Sequence, residues 1–183
     1  MPEILTGNII SDFVKGKKKF DYPPGIQQGI HLHRLIDSFT DEHPSTHAAK
    51  KIFSPVYRLY SGAFVDVVYD HFLANDPSCF APGELFGFSQ QVYQALDKYK
   101  TLFPEKFRPL FNSMKLHNWL YNYREKEGIG HSFEGLRRRS AYIEETKTAF
   151  ALFGNNYEML QQYYYDFFPS VMEFSRTAIE TLL

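Results

Sequence analysis

Apolar positions along this chain recur at the three- and four-residue spacing of helices, and that period continues almost from end to end. Ile4, Leu5, Ile9, Ile10, Phe13 and Val14 share such a spacing, and Gly16 should end the first helix before an exposed Lys17, Lys18, Lys19 run. Pro23-Pro24-Gly25 punctuates the chain ahead of a second helix carrying Ile26, Ile30, His33, Ile36, Asp37 and Thr40, which Pro44 stops. Ser45 or Thr46 is placed to cap a third helix, with a break or kink expected at Pro55. Between Ser61 and Ala74 almost every face is apolar (Phe64, Val65, Val67, Val68, Phe72, Leu73), the signature of a central, buried helix. Residues 84–100 and 105–126 read as amphipathic helices, Gly128 and Gly130 as a break, and 132–153 and 155–182 as the closing helices, with Pro169 a kink or boundary. The expected architecture is all-α: residues 1–183 as a single domain, an irregular bundle of seven or eight helices.

Composition adds a core packed by rings, because 17% of the residues are aromatic, 18 of them Phe and 13 Tyr. The net charge of −1 excludes strong global steering toward nucleic acid or a membrane, so recognition must come from local patches. A single cysteine, Cys79, rules out a disulfide within the chain and fits a reducing compartment. No apolar stretch is long enough to span a bilayer and no signal peptide is evident, so a cytoplasmic protein is expected.

Chemistry-bearing residues are unevenly spread. Five of the seven histidines, His31, His33, His43, His47 and His71, precede residue 72, together with Asp12, Asp37, Asp41, Asp66 and Asp70. His33 and Asp37 are one helical turn apart, with Asp41 a turn further, so an imidazole and a carboxylate could converge on one divalent cation. A surface His–Asp pair with Asp41 as an end charge satisfies the same spacing. His31 points elsewhere and suits a supporting role. Asp66 and Asp70 lie on the most apolar helix, where an unpartnered carboxylate would cost several kcal/mol or stay protonated; a metal, an arginine or a hydrogen-bond network is needed. A core histidine at 71 bonded to a backbone carbonyl is the plainer alternative. Asp12, in an apolar helix, raises the same desolvation question. Together these side chains from three helices could hold a water-activating metal, and no Gly-rich phosphate loop or nucleophile motif competes with that reading.

Three runs carry a family resemblance: GNIISDFVKG (7–16), GIHLHRLIDSFTD (29–41) and DVVYDHFL (66–73), supported by Asn118-Trp119-Leu120 and Glu134-Gly135-Leu136-Arg137-Arg138. They resemble the acyl carrier protein phosphodiesterases, regarded as an unusual all-α branch of the HD phosphohydrolases. The resemblance implies removal of the 4′-phosphopantetheine arm from holo acyl carrier protein, with manganese as the usual divalent metal. It implies catalytic roles for Asp12, Asp37 and Asp70, metal ligation by His33, Asp37, Asp70 and His71, and supporting or substrate contacts from His31, Arg34, Asp41 and Asp66. The partner is then a small, strongly acidic protein, for which Lys17, Lys18, Lys19, Arg137 and Arg138 are the candidate contacts. Two departures stand out. The family's short opening segment with its Ala-His pair is missing ahead of Met1, and Asn75 to Phe80 lacks the tryptophan expected nearby. An HD-type nucleotide phosphohydrolase and a non-catalytic all-α binding module remain the alternatives.

Overall fold

The structure is a computed structural model that describes residues 1–182. Among the described residues it contains ten α-helices joined by loops and short 3₁₀ turns, and no strand. They are α1 (Pro2–Ile10), α2 (Pro24–Glu42), α3 (Pro44–Tyr57), α4 (Ser61–Ala74), α5 (Glu84–Asp97), α6 (Phe107–Leu116), α7 (Trp119–Asn122), α8 (Lys126–Arg139), α9 (Lys147–Asn155) and α10 (Tyr157–Leu182). No described helix is long and apolar enough to cross a membrane. The chain divides into two compact units rather than reading as one continuous cluster.

The first unit comprises residues 1–40, 86–118 and 171–182. Its defining feature is the crossing of α1 and α2. A Cβ on Gly7 would lie 2.0 Å from the Ile26 carbonyl oxygen, and one on Gly29 would lie 2.1 Å from that of Ile4. Two glycines thus let the helix backbones touch, with Ile4, Ile10, Ile26 and Ile30 buried around the crossing. A run of rings extends the core. Phe13 packs on Phe107 at 5.2 Å between centroids, and Phe107 on Phe103 at 4.9 Å. Phe39 stacks on Phe174 at 4.5 Å.

The second unit comprises residues 41–85 and 119–170. Here α4 packs against α3 and α8, and α9 against α8 and α3. The expected burial of α4 is observed, with Phe64, Val65, Val68 and Phe72 buried. Aromatic packing joins these helices: Tyr57 meets Phe64 at 4.4 Å, Phe64 meets Phe133 at 4.9 Å, and Tyr69 stacks on Phe167 at 5.1 Å. A buried carboxylate is fully satisfied in the connection after α4. Asp76 accepts from the Ser78 amide (2.8 Å), the Ser78 hydroxyl (2.6 Å) and the Tyr164 hydroxyl (3.0 Å).

Several boundaries differ from the sequence expectation. The first helix ends at Ile10, not Gly16, and continues as a 3₁₀ turn, Ser11–Phe13. The 105–126 and 132–153 segments are each two helices, which accounts for ten rather than seven or eight. His43, not Ser45 or Thr46, caps α3, its Nδ1 accepting from the Ser45 amide at 3.2 Å. Pro55 sits in the last turn of α3, where it removes only one main-chain bond, so the helix continues to Tyr57. Pro169 lies within α10 without ending it. Gly128 and Gly130 do not break the chain but lie inside α8. At Gly128 a Cβ would meet the Asn122 carbonyl oxygen at 2.0 Å, so glycine there permits α7 and α8 to approach closely.

Candidate active site

In the first unit, the 3₁₀ turn after α1 presents Asp12 to solvent while its neighbours are anchored inward. The Ser11 hydroxyl donates to the Ile30 carbonyl at 3.4 Å, and the Phe13 ring packs on Phe107. Across the glycine crossing, α2 brings His33 alongside, and its Nε2 donates to Asp12 Oδ1 at 3.3 Å. The His33 hydrogen bond lowers the pKa of Asp12 below the ordinary carboxylate value; burial opposes this, while the charges of His33 and Lys15 assist it. Arg34 fixes the turn from the other side, donating to the Val14 carbonyl at 2.8 Å. That bond gives Arg34 a scaffolding role in addition to any contact with phosphate. Asp37 is exposed one turn beyond His33 on α2, and His31 is exposed on a different face.

In the second unit, α4 carries the other candidates. Asp70 is partly exposed, yet its carboxyl is strongly desolvated. Burial, reinforced by the negative charge of Asp66, pushes it up to about 7, and a hydrogen bond from the Tyr123 side chain pulls it partly back. Asp66 itself is exposed, contrary to the expectation that both carboxylates are buried by the apolar helix, because its position falls on the one solvent-facing edge of α4. Asp41 is taken up by Lys50, whose Nζ lies 2.5 Å from Oδ1.

His71 is buried and held at both ring nitrogens. Nδ1 donates to the Tyr123 carbonyl at 2.7 Å, which assigns the ring proton to Nδ1; Nε2 then accepts from the Tyr157 hydroxyl at 2.9 Å. Burial shifts its titration downward, so the ring is neutral. Phe72 and Phe153 enclose it, each at 5.4 Å between centroids. In this arrangement no lone pair of His71 is open to an ion, and the ligand role expected for it would require displacing Tyr157. Tyr123 and Tyr157 were not singled out by the sequence; among thirteen tyrosines nothing in their spacing marks them.

Among the described residues, no three His, Cys, Asp or Glu side chains are gathered so as to hold a metal ion. The donor chemistry nonetheless fits a divalent cation in part. Within the first unit, Asp12 and His33 offer an adjacent oxygen and nitrogen pair.

The candidate partner-binding residues differ in availability. Lys17 and Lys18 are exposed on the 3₁₀ segment Gly16–Asp21, and Lys19 lies over the Phe20 ring at 4.9 Å. Arg137 is committed to Glu134 through bonds of 2.9 Å and 2.6 Å, and Arg138 lies 3.6 Å from the same carboxylate.

The family model described as acyl carrier protein phosphodiesterase matches residues 1–171. The chain belongs to the acyl carrier protein phosphodiesterase family. A relative of that name from Serratia proteamaculans (strain 568) is 32% identical over 170 residues, covering 92% of this chain and 88% of its own length. Another of the same name, from Escherichia coli (strain ATCC 8739, Crooks), is 30% identical over 179 residues, covering 96% of this chain and 92% of its own. No solved structure matches the chain. Within this family frame, the three runs containing Asp12, His33–Asp37 and Asp70–His71 all lie inside the matched region.

Proposed function

We propose that this protein hydrolyses holo acyl carrier protein to apo acyl carrier protein and 4′-phosphopantetheine. The family match along residues 1–171, with relatives of that name aligned over nearly the whole chain, carries the proposal. In the reaction, the oxygen of water bonds to phosphorus and the bond from phosphorus to the carrier's serine oxygen breaks. The serine oxygen takes a proton, and the phosphate remains on the pantetheine arm.

Asp70 suits the proton-handling part of this chemistry. Held at about 7 by burial and by Asp66, it can both bind and release a proton near neutral pH. His71, neutral and clamped between Tyr123 and Tyr157, orients its neighbourhood on α4. Asp12, His33 and Asp37, all in the first unit, are the proposed ligands of a divalent cation, manganese by the family resemblance. When bound, that ion supplies charge neutralisation at phosphate oxygens and acidifies water. The substrate is an acidic protein, and Lys17, Lys18 and Lys19 are proposed contacts for it.

The test incubates the protein with Mn²⁺ and holo acyl carrier protein and follows the carrier by intact mass. Loss of the prosthetic group, abolished by a chelator and by Asp70→Ala without loss of fold, is the expected result. A carrier protein that keeps its arm at high enzyme concentration removes the substrate assignment. Turnover of nucleotides instead would redirect the reading to the nucleotide phosphohydrolases.

A further inference from the structure

The first unit holds a second cationic surface, separate in sequence from the lysine run after Asp12. A hollow of about 620 Å³ is lined by Lys100, Arg108 and Lys115, with Asp97, Thr101 and Phe103 among the remaining wall residues. Three cations therefore face one carboxylate, in a protein whose net charge is −1. Lys100, Arg108 and Lys115 are all exposed. Asp97 is engaged by Lys115. Arg108 is braced on the main chain, donating to the carbonyls of Phe103 (3.3 Å) and Thr101 (3.4 Å). These bonds fix the root of the guanidinium group at the wall of the hollow.

The hollow is connected to the Asp12 turn by rings. Phe103, in its wall, packs on Phe107 at 4.9 Å, and Phe107 packs on Phe13, the residue after Asp12, at 5.2 Å. The cationic hollow and the Asp12–His33 pair thus share one rigid aromatic run within the same unit.

We infer that the Lys100–Arg108–Lys115 hollow is the docking surface for an acidic face of the protein substrate. This inference rests on the carrier-protein reading above and deepens it by naming the surface. Charge complementarity argues for it. An acidic protein gains encounter rate and correct orientation from a concentrated positive patch, and such a patch contributes mainly to binding rather than to the chemical step. By contrast, Arg137 and Arg138 already share Glu134 and offer less net charge to a partner.

The test uses the full chain and apo acyl carrier protein, which lacks the scissile group, so that binding is read apart from hydrolysis. Affinity is measured by titration calorimetry at low salt for wild type, the double variant Lys100→Glu/Arg108→Glu, and the control Lys147→Glu on the exposed start of α9. Melting curves check that each variant folds. The expected result is at least a tenfold loss of affinity in the double variant, a flatter salt dependence, and little change in the control. In turnover of holo carrier protein, KM rises with kcat retained. Equal affinity of the double variant and wild type, an equal loss in the control, or no binding by wild type overturns the docking surface. If wild type binds apo carrier protein through the hollow yet never releases 4′-phosphopantetheine, the hydrolytic reading fails while the surface stands.

Discussion

The Tyr157 hydroxyl donates to Nε2 of His71 at 2.9 Å, completing a clamp whose other jaw is the Tyr123 carbonyl on Nδ1. The imidazole therefore has one tautomer and one orientation. Removing the hydroxyl with Tyr157→Phe leaves a buried acceptor unsatisfied and should cost about 1 kcal/mol in a urea melt. Histidine side-chain NMR should still show the proton on Nδ1. A variant as stable as wild type would show that the bond contributes nothing.

Asp70 gives a pH dependence with a definite sign. Its proton is held more tightly in the folded protein (about 7) than in the unfolded chain (3.8), chiefly because of burial. That contribution is complete below the unfolded value and disappears as pH rises through the folded one. In protein stripped of divalent ions by a chelator, stability should fall between about pH 4 and about pH 7, and Asp70→Asn should flatten this decline. Parallel melting curves for the two proteins across that range make the comparison.

The Asp76 carboxyl behaves in the opposite sense. Burial pushes it up, but the hydrogen bonds from Ser78 and Tyr164 outweigh burial and leave it below its ordinary value. Its stabilisation is present above the unfolded carboxyl value and lost as pH falls through the folded one. Asp76→Ala should destabilise by about 2 kcal/mol at neutral pH, since it also orphans the buried Tyr164 hydroxyl. The deficit should shrink toward strongly acidic conditions, as followed by equilibrium denaturation.

At the helix crossing, Gly7→Ala should cost about 3 kcal/mol, because its new methyl group would meet backbone atoms that no side-chain rotation can move. Gly16→Ala provides a contrast: no atom lies within 4 Å of its added Cβ, and only its φ of 56° opposes the change. Urea midpoints of the two variants should separate clearly, with Gly7→Ala the lower.

The sequence made the helical class legible because period-3.6 apolar spacing survives in every long segment, and α4 was recognisable from its uninterrupted apolar stretch. Helix ends were less so. Gly128 has the appearance of a breaker, yet it is required for contact with Asn122, a partner that becomes visible only in three dimensions. His43 caps α3 through a ring nitrogen, which residue preference at caps does not anticipate. At the candidate site, one-turn spacing placed His33 and Asp37 on α2, but it did not reveal that His33 also reaches Asp12, twenty-one residues earlier. The apolar surroundings of Asp70 correctly signalled an abnormal carboxyl, whereas the same argument failed for Asp66 on the exposed edge of that helix. The tyrosine clamp on His71 left no trace in the linear order, since Tyr123 acts through its carbonyl and Tyr157 comes from a distant helix.

Because α1 and α2 meet through bare main chain at Gly7 and Gly29, the footing beneath Asp12 and His33 is independent of rotamers. How near these two helices come is set by main-chain contact, so any side chain added at either position must pry them apart. An engineer seeking a hardier variant therefore has almost no latitude at the two glycines.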